Sequence, residues 1–147
     1  EEDKLLTLAD SNYVLIEFMP AVPYSEICTA VQNLSRTRYV PVIAHAERYR
    51  CLRKGKRLEE LIGLDALIQM NYRSVGGSWH DVTARWCRDN LKKGNVHLMG
   101  TDMHNTGNRM PDTKEAMSWM RTHLDRKYLK KITKDNALRI TENKLIR

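Results

Sequence analysis

The stretch YVPVIAH, residues 39–45, is apolar from its first residue to its last but one and then closes on a histidine. A strand with one face in water alternates apolar and polar side chains. A run without that alternation belongs to a strand buried on both faces, as in a parallel sheet. Three other segments share its composition: YVLIEF at 13–18, DALIQMN at 65–71 and VHLMGTD at 96–102. Between them the apolar spacing turns helical. Ile27, Val31 and Leu34 mark 24–36, Leu58, Leu61 and Ile62 mark 56–64, and Trp79, Val82, Trp86 and Leu91 mark 79–93, with further helices predicted over 112–142. Strands alternating with helices in this order predict an α/β fold of right-handed parallel βα units, in an open sheet or a barrel.

Length and composition set the bounds. A chain of 147 residues with 41% hydrophobic content supports one domain with a sizeable core, 1–147, and is short for two. The formal charge of +7, from 25 basic and 18 acidic residues, favours acidic partners without choosing among them. Cys28, Cys51 and Cys87 are odd in number and form no C-x-x-C pair, which argues against a zinc knuckle or a disulfide framework and fits a reducing cytoplasm. No apolar run approaches the roughly 18 residues of a membrane span, so no membrane insertion is expected.

In parallel α/β folds, chemistry gathers where strands end and loops begin. The polar residues of the four segments fall there: Glu17 near the end of the first, His45 closing the second, Asn71 closing the third, and Asp102 ending the fourth with His104 two residues on. Side chains alternate along a strand, so Asp102 and His104 are expected on one side. Carboxylate and imidazole donors suit zinc, manganese or iron. A metal held there would make water a nucleophile at neutral pH. Arg48 and Arg109 lie in the loops beyond two of these strands, where a guanidinium grips phosphate oxygens in bidentate fashion. With 14 arginines in the chain, position alone distinguishes them from surface residues. Glu47 is read as an ion-pair partner for Arg48.

Other features carry less. CLRKGKR, 51–57, fits the C-x5-R pattern of cysteine-dependent phosphatases, yet no apolar strand leads directly into it and it holds one glycine in a charged run. His80, His97 and His123 read as structural or exposed. Trp79, Trp86 and Trp119 read as packing anchors rather than a base-stacking platform, so no nucleic-acid partner is expected. The basic run RKYLKKITKDN carries an apolar stripe of Tyr128, Leu129 and Ile132 and reads as an amphipathic helix.

Taken in order, YVLIEFMP, YVPVIAHAERY, LIQMNYRSVGG and VHLMGTDMHNTGNRMPD resemble successive motifs of the manganese-dependent bacterial protein-tyrosine phosphatases of capsular and exopolysaccharide operons, within the polymerase and histidinol phosphatase superfamily. The resemblance runs from about residue 4 to 143. It implies part of a distorted (β/α)7 barrel with metal ions, manganese or another divalent cation, at the carboxyl ends of the strands. Glu17, His45, Asp102 and His104 would be metal ligands. Arg48 and Arg109 would serve as the catalytic, substrate-binding pair on the phosphate. The partner implied is a phosphotyrosine-bearing bacterial tyrosine kinase that regulates polysaccharide export. AHAER and EFMP replace proline-containing forms usual in the family, a change of loop shape. The family's opening H-x-H motif and acidic stretch have no counterpart, so the resemblance implies the C-terminal two-thirds of a family member. A parallel sheet short of strands exposes an edge, which predicts pairing with its own N-terminal part or with a second copy as a homo-oligomer. Two other readings stay open: a catalytically incomplete binding module, and a phosphoesterase acting on a small phosphate monoester.

Overall fold

A computed structural model describes residues 5–102 and 113–146. Four strands, β1 (Tyr13–Ile16), β2 (Val40–Ile43), β3 (Leu67–Asn71) and β4 (Leu98–Gly100), form one parallel sheet in the order β1-β2-β3-β4. This is the α/β architecture expected from strands without alternation. Each strand is followed by helix: α1 (Tyr24–Ser35) after β1, α2 (Arg57–Gly63) after β2, α3 (Tyr72–Val75) and α4 (Val82–Lys93) after β3, and α5 (Lys114–His123), α6 (Arg126–Lys130) and α7 (Asn136–Thr141) after β4. Lys131–Asp135 form a turn of π-helix joining α6 to α7.

Pro41 shows how the register tolerates a residue without an N–H. The amides of Val40 and Ala44 donate to Asn12 and Ile16, on the β1 side, so the missing donor of Pro41 faces β3. Pairing of β2 with β3 begins only at Val42, opposite Leu67. The proline therefore sits just before the ladder that would have needed it.

Alternate residues of the strands feed two apolar clusters. Ile43, Ile68 and Met70 pack with Ile27 and Val31 of α1, Leu58 and Leu61 of α2, Cys87 and Leu91 of α4, and Met120 of α5. Tyr13, Val42, Leu67 and Leu98 pack on the other side against Ile140 and Ile146. This second cluster is smaller, and Leu15 on β1 stays half exposed. The stripe read over 79–93 is shorter than expected. Asp81 caps α4 by accepting from the amides of Thr83 and Ala84, so the helix begins at Val82 and Trp79 lies outside it, 70% exposed rather than a packing anchor. At the other end Gly94, at φ +78°, supplies the left-handed closure that satisfies the last carbonyls.

Candidate active site at the carboxyl ends of the strands

Two of the strands stop two residues before the side chains that matter. β2 ends at Ile43 and β4 at Gly100, and His45 and Asp102 then adopt left-handed backbone, φ +33° and φ +51°. Histidine and aspartate enter this region more readily than most residues, yet it stays sparsely populated and clusters at functional sites. The kinks also end the period-two alternation, so the strand argument for placing Asp102 beside His104 does not carry past Gly100.

His45 is buried, and its Nε2 lies 2.9 Å from Oε1 of Glu17, whose side chain is 65% exposed. Two further neighbours fix it. Its amide donates to Oε1 of Gln69 at 2.5 Å. Its Nδ1 lies 3.4 Å from the Tyr49 hydroxyl, which also accepts from the amide of Phe18 at 3.0 Å. Tyr49, fully buried and edge-on to Phe18, thus ties the loop carrying Glu17 to the imidazole. Burial pushes the Tyr49 phenol above its ordinary pKa, which keeps it a neutral hydrogen-bonding group.

Gln69 is a polar residue in an otherwise apolar strand. Its Nε2 donates to the Met70 carbonyl at 2.9 Å and to Oδ1 of Asn71 at 3.0 Å, which leaves Oε1 for His45. On the neighbouring strand Gly100, paired with Asn71, leaves the room this side chain fills: a Cβ there would collide with the Gln69 amide.

Arg48, from the 3-10 turn Ala46–Arg48, donates through Nη2 to Oδ2 of Asp102 and remains partly exposed. Glu47 does not hold Arg48, contrary to the sequence reading. Its carboxylate turns inward, where Oε1 accepts from the Asn71 amide at 3.2 Å and the Ser74 hydroxyl at 2.9 Å. Oε2 is buried with no hydrogen-bond partner among the described residues, and burial raises the pKa of the group. Arg53 anchors the same turn to α4 by donating to the Glu47 carbonyl and the Thr83 hydroxyl.

Of the residues singled out from sequence, the structure brings Glu17 to His45 and Arg48 to Asp102. His104 and Arg109 lie outside the described residues. Among the described residues no group of three or more His, Cys, Asp or Glu stands close enough to hold a metal ion. The rival nucleophile fares poorly. Cys51 sits in the 3-10 turn Arg50–Arg53, desolvation raises its thiol pKa, and Arg57 donates to its backbone carbonyl. Sequence reading missed Gln69 and Tyr49. The signal for Gln69 was a polar side chain inside a buried strand, which must find partners.

The family model for capsular polysaccharide synthesis, CpsB/CapC, matches residues 1–142. The chain is 33% identical over 152 residues to the tyrosine-protein phosphatase CpsB of Streptococcus pneumoniae, covering 99% of this chain and 63% of that protein. It is 32% identical over 117 residues to the tyrosine-protein phosphatase YwqE of Bacillus subtilis, covering 78% and 45%. A crystal structure from work on YwqE of Bacillus subtilis and CpsB of Streptococcus pneumoniae, described as unique metal-dependent tyrosine phosphatases, superposes with a TM-score of 0.81 at 28% identity, over 97% of this chain and 58% of that one. The chain therefore spans about three-fifths of the length of the relatives it matches most fully.

Proposed function

Because the chain belongs to the CpsB/CapC family of capsular polysaccharide synthesis, we propose that it carries part of the active site of a metal-dependent phosphatase that hydrolyses phosphotyrosine on a bacterial tyrosine kinase governing capsular or exopolysaccharide export in the cytoplasm. The observation that carries this reading is the meeting of Glu17 and His45, from the loops after two adjacent strands, beside an arginine that faces the same end of the sheet.

An exposed carboxylate and an imidazole nitrogen are donors of the right kind for manganese or another divalent cation. The described residues offer them as a contacting pair, which Asp102 and His104 would extend. A bound divalent cation supplies Lewis acidity and makes water a better nucleophile. The chain's own residues do the rest. Gln69 and Tyr49 hold His45 from both sides, so its Nε2 keeps facing Glu17. Arg48 now satisfies Asp102. A phosphoryl oxygen is the chemically equivalent partner, so substrate would take over that guanidinium while Arg109 grips a second oxygen. As charge develops on those oxygens in the transition state, both guanidiniums stabilise it.

A second reading rests on a specific observation, the lack of a three-donor metal group among the described residues: the chain alone is a catalytically incomplete binding module. One experiment separates the two. The purified chain is loaded with manganese, desalted and analysed for metal, and a phosphotyrosine peptide and an alkyl phosphate monoester are offered as substrates. Near-stoichiometric metal with turnover of the peptide is the expected result for the hydrolase, and faster turnover of the monoester would reassign the substrate. Absence of both metal and turnover would leave the binding module. Arg109→Ala should weaken turnover while sparing metal, and loss of metal would remove Arg109 from its phosphate role.

A further inference from the structure

The amino ends of the strands carry a second charged site. A cavity of about 690 Å³ is lined by Lys127, Lys131, Asp135, Arg139, Lys144 and Leu145. It lies at the other end of the sheet from Glu17 and His45. Asn136, beside it, donates to the carbonyl of His97 where β4 begins, and the carbonyl of Lys144 accepts from Tyr13 at the start of β1.

The helix geometry builds this site. Lys127, Lys131, Asp135 and Arg139 recur every four residues along α6, the π turn and α7. In an α-helix each four-residue step overshoots a full turn by about 40°, so three steps would carry the row about a third of the way round the helix. The wider i→i+5 turn needs more residues per revolution, so its four-residue step falls short instead and cancels much of that drift. The π turn at Lys131–Asp135 thereby keeps the row facing one cavity. It also sets Lys130 five residues before Asp135, and the Lys130 ammonium lies 2.8 Å from both carboxylate oxygens, offsetting the one acid of the row. Arg139 is braced by donating Nη1 to the Leu145 carbonyl at 3.0 Å, which leaves its other N–H groups for a ligand.

We propose that this cavity binds an extended acidic peptide segment, its carboxylates on Lys127, Lys131 and Arg139 and an apolar side chain on Leu145. The row is about 18 Å long at 1.5 Å per residue, the span of some five or six extended residues. Among the described residues no aromatic side chain lines the cavity to stack bases, and its concave wall with an exposed leucine, 57% accessible, suits a side chain better than a flat headgroup surface. The proposal goes beyond the phosphatase reading and does not depend on it, because the two sites lie at opposite ends of the sheet.

The test is fluorescence anisotropy of the whole chain with a labelled acidic peptide carrying one central leucine, beside an oligothymidylate of equal charge. Lys127→Glu with Lys131→Glu should weaken peptide binding at least about tenfold, whereas Arg36→Glu with Lys56→Glu, the same change in net charge elsewhere, should weaken it less than about threefold. Leu145→Ser, which alters no charge, should weaken the leucine peptide several-fold and leave a peptide with glycine in its place unchanged. Circular dichroism confirms that each variant is folded. Equal weakening by the two charge pairs, indifference to Lys127 and Lys131, or tighter binding of the oligothymidylate with the same dependence on them would overturn the proposal.

Discussion

Both ends of the sheet carry a histidine, a buried tyrosine hydroxyl and a network of hydrogen bonds, and they spend them differently. At the amino ends the polar groups bond to backbone. Nδ1 of His97 accepts from the Ile68 amide at 3.1 Å, the Tyr13 hydroxyl bridges the Lys144 carbonyl and the Ile146 amide, and the Tyr128 hydroxyl donates to the Val96 carbonyl. At the carboxyl ends side chains bond to each other: His45 to Glu17 and Arg48 to Asp102. A backbone partner cannot leave without unfolding the chain. A side-chain partner can be exchanged for a ligand at little cost to the fold, since partly exposed ion pairs contribute at most about 1 kcal/mol. The histidine with a fixed partner is structural, and the histidine with a replaceable one is available for chemistry.

The sharpest way to break this contrast is to remove each imidazole in turn. In a polypeptide with the full active site, His45→Ala should lower manganese affinity and phosphotyrosine turnover by roughly a hundredfold or more. His97→Ala should leave both within a few-fold while costing about 2–3 kcal/mol in urea unfolding, because a buried amide loses its acceptor and a cavity opens. The reverse pattern would sink the assignment of roles.

Acid offers a finer probe of the same pair. Burial, with Lys131 nearby, lowers the pKa of His97 from 6.5 to about 4. The unfolded chain therefore binds a proton that the folded chain refuses between those values, and stability must fall as pH drops through that window. A shift of this size corresponds to roughly 3 kcal/mol lost between neutrality and pH 4. Urea unfolding at pH 7 and at pH 4.5 should show the loss in the parent chain and a clearly smaller one in His97→Gln. Equal slopes would mean that carboxylates elsewhere carry the acid sensitivity.

How much of this was legible in the sequence follows from the kind of signal each feature leaves. The four strands showed as runs without alternation, because burial on both faces imposes composition directly. Their polar terminal residues showed for the same reason, as interruptions. Strand ends were read two residues long at Ile16, Ile43 and Gly100, since the departure from the sheet at His45 and Asp102 is a backbone event at residues that also occur within strands. Partners were not legible. Glu47 turns inward and Arg48 reaches Asp102, 54 positions away, because the turn between them points adjacent side chains in different directions. Nor did the sequence show that Gln69 and Gly100 fit together across neighbouring strands, a contact set by register rather than by local pattern.

The two tyrosines sharpen the comparison at smaller scale. Each hydroxyl satisfies a backbone amide, Ile146 for Tyr13 and Phe18 for Tyr49, so either Tyr→Phe change should cost about 1–2 kcal/mol of stability. Only Tyr49→Phe also loosens His45 and the loop of Glu17, so only it should raise the manganese concentration needed for half-saturation. If Tyr13→Phe moved that concentration equally, hydrogen bonds to backbone at either end would be feeding the site through general stability.

The smallest effect is expected at Cys51, and its smallness is informative. The residue follows His45 by six positions in the chain and matches a phosphatase pattern with Arg57. A thiolate nucleophile needs a lowered pKa in an electropositive, accessible setting. Desolvation raises the thiol here, and this outweighs the opposing influence of Arg57, whose Nη1 donates to the carbonyl of Cys51. Cys51→Ser should therefore change stability by no more than about 0.5 kcal/mol and leave phosphotyrosine turnover and manganese binding as they were. Turnover abolished with manganese still bound would move the nucleophile from activated water to sulfur, and would make the Glu17 and His45 pair a structural clasp like those at the other end of the sheet.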